Sequence, residues 1–166
     1  LLSVLDSDES GQVDQDRTWV VTGRERHAED AREGSLPYPT RAIRTRDFLY
    51  IHNFAPDRWP VGDPRGLDDL NAETPSWESL LMQRGGLGFS TPPPYREMDG
   101  GPTKAWMIHN RADEDVQPLF QLCFGKRPRE ELFDLRVDPD HMDNLADHPD
   151  YQHIRKDLAD KLMRVL

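Results

Sequence analysis

A single cysteine, Cys123, stands in the whole sequence, which excludes an internal disulfide and any metal site built on several thiolates. No apolar run approaches the roughly 18 residues of a membrane span. An excess of basic charge is also missing. The formal net charge is −10 and the pI near 5.0, whereas a nucleic-acid-binding surface is basic. No glycine-rich phosphate loop sits between a strand and a helix, and no order of Ser, His and Asp argues for a nucleophilic triad. Internal repeats and low-complexity tracts are absent. Apolar residues are scarce at 36%, and the mean hydropathy is −0.82. The 14 prolines and 11 glycines assign much of the chain to loop and turn.

At 166 residues the chain suffices for one domain with a modest core. A domain this polar is expected to complete its core on a larger partner surface. It opens on Leu1-Leu2-Ser3 without an initiator Met, and we expect it to be a piece of a longer polypeptide. The absence of a visible signal peptide therefore carries no information about export.

Regular structure is expected where hydrophobic periodicity is unbroken. Trp19-Val20-Val21 predict a strand ending near Gly23. Residues 41–45 and 48–53 predict a hairpin turning at Arg46-Asp47. In its second strand both faces hold apolar groups, which predicts a central position in the sheet. Ala28 to Gly34 predict one helical turn. Thr74-Pro75-Ser76-Trp77 has the form of a helix start, stopped at Gly85-Gly86. Pro92-Pro93-Pro94 reads as a stiff spacer, or a polyproline ligand. Short helices are expected from Pro102 to Asn110 and over Leu119 to Phe124, and a strand over Glu131 to Leu135. In the last stretch Tyr151, Ile154, Leu158, Leu162 and Val165 recur at spacings of three or four, the stripe of a C-terminal helix begun at Asp147-His148-Pro149. The fold class is α+β: a small antiparallel sheet of about four strands, loop-rich, with the C-terminal helix packed on one face.

Chemistry is concentrated in one place. Arg24, Glu25, Arg26 and His27 follow directly on the first predicted strand, and Arg41, Arg44 and Arg46 come soon after. A local basic site on an acidic body suits an anionic ligand, and arginine's planar fork suits oxyanions better than lysine's point charge. In an extended segment Arg24 and Arg26 leave on one side while Glu25 points away. Glu25 is placed to orient a guanidinium or to accept hydrogen bonds from sugar hydroxyls, and His27 to hydrogen-bond a ligand in either protonation state. The competing account is a solvated turn with incidental charges. For Arg41, Arg44 and Arg46 strand-edge solubility competes with a ligand role. Arg58-Trp59, Asp99, Lys104 and His109 are weaker candidates.

The run Thr22-Gly23-Arg24-Glu25-Arg26-His27, with Leu36-Pro37-Tyr38-Pro39-Thr40-Arg41-Ala42-Ile43-Arg44-Thr45 and Phe48-Leu49-Tyr50-Ile51, resembles the C-terminal part of a sulfatase of the alkaline-phosphatase superfamily. It is most similar to the heparan N-sulfatase (N-sulfoglucosamine sulfohydrolase) branch. A second anchor, Glu131-Leu132-Phe133-Asp134-Leu135-Arg136-Val137-Asp138-Pro139 followed by Asn144-Leu145-Ala146, resembles the closing segment of many sulfatases. Met98 to Lys104 resembles a further segment of that branch, without an assignable role. The resemblance makes residues 1–166 a C-terminal subdomain whose partner is the larger N-terminal catalytic domain of the same chain, which it meets to shape the substrate pocket. It implies a sulfated sugar as ligand and hydrolysis of a sulfate ester or N-sulfamate. Arg24, Glu25, Arg26 and His27, and less strongly Arg41, would be substrate contacts, with no nucleic acid or membrane as partner. A secreted, periplasmic or lysosomal location is expected.

The resemblance also implies a calcium ion and a formylglycine made from the Cys or Ser of a C/S-x-P/A-x-R signature, both in the N-terminal domain. Cys123-Phe124-Gly125-Lys126-Arg127 matches the Cys and Arg spacing, but has Gly125 where Pro or Ala belongs and lies late in the chain. It reads as a decoy, with Cys123 a small buried hydrophobe. Asp138, Asp140, Asp143 and Asp147 lack the glycine and glutamate of an EF-hand and read as a polar turn. No nucleophile, metal site or catalytic residue is expected within these residues, so the chain alone is expected to be inactive. A non-catalytic sulfated-glycan-binding module and a structural domain are the rival readings.

Overall fold

The structure is a computed structural model that describes residues 2–65, 67 and 94–166. The helix expected from Thr74 to Gly85 lies outside the described residues, as do Pro92 and Pro93. The chain divides into two compact units: residues 1–23, 41–52 and 130–166 form the first, and 24–40 with 53–129 the second.

The first unit is built on an α+β pattern. A short helix, α1 (Leu2–Leu5), precedes the strands β1 (Trp19–Arg24), β2 (Thr40–Thr45), β3 (Phe48–Asn53) and β4 (Glu130–Asp134). They make one four-stranded antiparallel sheet in the order β1-β2-β3-β4. The hairpin turns at Arg46-Asp47, and β3 is central, as its two apolar faces predict. In β4 Leu132 sits opposite Tyr50 and Asp134 opposite Phe48.

Alternation places Trp19 and Val21, Ile43, Phe48 and Tyr50, and Leu132 on one face. There they pack with Ile154, Leu158, Ala159 and Leu162 of the C-terminal helix (Gln152–Val165), which covers that face as expected. A single 3-10 turn, Pro149–Tyr151, leads into this helix, and the His148 ring accepts the Asp150 N–H there. Val165, the last residue of the apolar stripe, is 45% exposed and lies beyond the core.

The closing anchor of the sequence now has a physical meaning. Strand β4 lies at the edge of the sheet, where outward backbone groups need partners. The Asn144 side chain supplies them: its Oδ1 accepts the Leu132 N–H at 2.9 Å and its Nδ2 donates to the Glu130 carbonyl at 3.2 Å. The Leu145 N–H then donates to the Leu132 carbonyl at 2.8 Å. Asp134, buried at the end of β4, receives two bonds from the Arg136 guanidinium, from Nε at 2.8 Å and Nη2 at 2.5 Å. Arg136 holds the Asp134 carboxyl below its usual range, against the opposing effect of burial.

Among its described residues the second unit has little regular structure. Its helices, α2 (Pro102–His109) and α3 (Gln117–Phe124), appear where expected, with α3 starting two residues early. Between residues 28 and 34 the expected helical turn is broken at Arg32, which is extended (φ −133°, ψ 152°), and a 3-10 turn follows at Glu33–Ser35 with Gly34 at φ 66°. The core is aromatic. Tyr95 and Phe124 have ring centroids 4.6 Å apart and Phe120 and Phe124 4.8 Å, with Ala105, Met107 and Ile108 around them.

Leu162 is fully buried between the sheet and its helix, whereas Leu119 of α3 is 52% exposed. Leu162→Ala is expected to cost about 2–5 kcal/mol of unfolding free energy, and Leu119→Ala within about 0.5 kcal/mol. Urea denaturation of the two variants measures the difference.

Candidate functional site

The loop that follows β1 carries the predicted contacts. Arg24 is the last residue of the strand and the backbone bends at Glu25, so strand alternation does not extend to Arg26. Arg24, Glu25, Arg26 and His27 are all exposed. Their backbone is nevertheless tied down. The Glu25 carbonyl accepts the Tyr38 N–H at 2.7 Å, and the His27 N–H donates to Glu97 Oε2 at 2.6 Å. Two of the side chains are anchored too: Arg24 Nη2 donates to the Pro60 carbonyl at 2.7 Å and Arg26 Nη1 to the Ser35 carbonyl at 2.9 Å.

Beneath this loop lies a pair that sequence reasoning missed. Arg32 and Glu97 form an ion pair at 2.8 Å with side-chain exposures of 2% and 0%. Arg32 also donates from Nε to the Trp59 carbonyl at 2.8 Å and from Nη2 to the Pro60 carbonyl at 2.9 Å. Its guanidinium lies 5.6 Å from the centre of the Tyr38 ring. Arg32 stood in a charged run expected to form one helical turn, and Glu97 follows a proline-rich stretch 65 residues away. No local periodicity links them.

Glu97 is placed by its own backbone. Its N–H donates to the Val61 carbonyl and that of Tyr95 to the Asp63 carbonyl, both at 2.9 Å. Gly62 sits between the two bonds with φ +100°, and a Cβ there would lie 2.8 Å from the Arg96 nitrogen and 3.1 Å from the Ala31 carbonyl oxygen. Only glycine meets both conditions.

Arg41 belongs to the first unit. It shares the parity of Ile43 in β2, while Arg44 falls on the opposite face and is exposed. Its side chain lies over Gly23 of β1, where an added Cβ would come 2.5 Å from the Arg41 Cδ. Gly23 thus makes room for Arg41. Arg46 is exposed in the hairpin turn.

Three of the weaker candidates, Arg58, Trp59 and Lys104, have structural work. Arg58 donates to the Pro37 carbonyl at 2.7 Å, and Trp59 joins the aromatic core. Lys104, 5% exposed, donates to the Tyr95 and Met98 carbonyls at 2.8 and 2.6 Å. The Met98–Lys104 segment therefore includes a lysine that ties together the loop bearing Glu97. Burial pushes the Lys104 ammonium down to about 8. Asp99 and His109 show no comparable anchoring.

Among the described residues, those weighed in the sequence for a sulfatase centre have structural surroundings. Cys123 packs partly buried against the aromatic core on α3. Asp138 takes the Met142 and Asp143 N–H groups at 3.0 and 2.9 Å, as a turn does. Among the described residues no three His, Cys, Asp or Glu side chains group as metal ligands.

Two outcomes test this framework. Gly62→Ala is expected to lose about 1–3 kcal/mol from its positive φ alone, with the backbone clash adding to it, measured by thermal unfolding. Lys104 is lowered in the folded chain relative to 10.5 unfolded, so the unfolded state binds more protons between the two values. Stability relative to Lys104→Met should then rise as the pH increases from about 8 toward 10.5. Urea titrations of both proteins across that window measure it.

No family model matches the chain. It is 28% identical over 127 residues to an ulvan-active sulfatase of Formosa agariphila, a match covering 76% of this chain. The same match covers 16% of that protein, so the chain spans a small part of its relative's length. The similarity is sulfatase-like and extends across most of the chain described above.

Proposed function

We propose that this chain is the C-terminal, substrate-shaping subdomain of a sulfatase acting on sulfated sugars. The observation that carries the reading is the loop from Arg24 to His27. It presents two guanidiniums, a carboxylate and an imidazole to solvent on a backbone fixed at Glu25 and His27. Sulfate ester and sulfamate oxygens accept several directed hydrogen bonds, and guanidiniums supply them in a planar fork. Glu25 complements sugar hydroxyls beside them. The sulfatase similarity supports the same reading.

In this reading the chain binds and orients. Bond cleavage, with its formylglycine and calcium, belongs to the larger N-terminal domain that the sulfatase resemblance implies. The motif at Thr22 to His27 points to the heparan N-sulfatase branch, while the relative's name points to ulvan. The substrate is therefore a sulfated polysaccharide, with N-sulfated heparan as the first candidate.

One observation favours a structural alternative. Arg24 and Arg26 each donate to a backbone carbonyl, so both stabilise the loop whatever it binds. The two readings part on kinetics. In the full-length protein, Arg24→Ala and Arg26→Ala are expected to raise KM for N-sulfated heparan or ulvan about tenfold or more with a smaller change in kcat. Sulfate release from both glycans measures this. Loss of thermal stability with KM unchanged would support the structural role, and no sulfate release by the wild type would overturn the hydrolase reading.

A further inference from the structure

We infer that Glu97 is the positioning residue of the Arg24–His27 loop, acting through Arg32 to set the loop's grip from beneath. The inference rests on the reading of that loop as the sulfate-contacting rim.

Glu97 and Arg32 have side chains 0% and 2% exposed, so neither meets a ligand directly. Each Glu97 oxygen has a separate task. Oε2 takes the His27 N–H at 2.6 Å and fixes the far end of the loop. Oε1 takes Arg32 Nη1 at 2.8 Å and fixes the guanidinium. Arg32 Nη2 then reaches the Pro60 carbonyl at 2.9 Å, and Arg24 Nη2 reaches the same oxygen at 2.7 Å. A single buried carboxylate is thereby linked to both ends of the loop.

The shared carbonyl brings two like charges close together. Glu97 supplies the compensating negative charge where little water can screen it. An apolar pair of the same volume is often as stable as a buried ion pair, so stability alone does not account for Arg32 and Glu97. Directed bonds to the groups around them do. Tyr38 completes the support, with its N–H on the Glu25 carbonyl at 2.7 Å and its ring beside the Arg32 guanidinium. The loop is held at Glu25 and His27, and Arg24 is aimed by a carbonyl whose other guanidinium partner Glu97 secures.

The test uses the full-length protein, an N-sulfated heparan oligosaccharide and the same oligosaccharide with its sulfates removed. Glu97→Gln keeps the side chain's size but removes one acceptor and the charge. Affinity for the sulfated probe is expected to fall about tenfold, with the weak affinity for the desulfated probe unchanged and kcat at saturation kept. Arg24→Ala is the control for the underlying reading. If the wild type does not prefer the sulfated probe, the reading of the loop falls and this inference with it. If it does prefer that probe, and Arg24→Ala loses the preference while Glu97→Gln keeps it, only the positioning role is overturned. Amide hydrogen exchange on the wild type decides the matter should Glu97→Gln fail to fold. The His27 N–H is expected to be protected before any ligand is added, and exchange at the rate of an open loop would overturn the inference.

Discussion

The second unit rests on one interaction, the side-chain cation donating to a backbone carbonyl. A chain rich in proline and glycine forms few helices and ladders, yet each carbonyl taken from water still needs a donor. Arginine and lysine supply those donors here. Arg24 and Arg32 serve Pro60, Arg32 also serves Trp59, Arg58 serves Pro37, and Lys104 serves Tyr95 and Met98. Arg65 and Arg111 do the same for Asp30 and Ile108. A guanidinium with five donors in a rigid plane can meet several carbonyls that point in different directions, which a helix or strand cannot do. The loops thereby hold definite positions without regular hydrogen-bond ladders.

The first unit solves the same problem differently. Its backbone groups are paired in a sheet, and an edge strand such as β4 leaves outward groups to satisfy. Asn144 takes that place with one amide side chain, accepting from Leu132 and donating to Glu130 as a neighbouring strand would. Here polar side chains trim a sheet that would form from its apolar alternation. In the second unit they are the framework itself.

That contrast decides what was legible in the sequence. The strands, the hairpin turn and the C-terminal helix carry their signal locally, in period two or in spacings of three and four, because one face of each is buried. The segment near Ala28 carried a misleading signal: alternating charges suggested a helical turn, whereas Arg32 is extended and its guanidinium turns inward to Glu97. The loop bearing the candidate contacts was legible as a motif, since its charges are adjacent in sequence. Its support was not. Arg32 and Glu97 are 65 residues apart and meet only because Gly62 lets two backbones approach. A buried arginine has the same letter as a solvated one, and tertiary structure alone tells them apart.

A guanidinium bound to a carbonyl on one side is not thereby withdrawn from ligand binding. A flexible arginine loses much of its rotamer freedom when it closes on an anion, and that loss opposes affinity. Arg24 and Arg26 have incurred part of it on folding, through Pro60 and Ser35. The same bonds that look structural would therefore leave less ordering to be done when an oxyanion arrives. The cost moves to the folding of the second unit, where the aromatic core of Tyr95, Phe120 and Phe124 offsets it. A structural role for these arginines and the binding role proposed for them are thus compatible within one geometry.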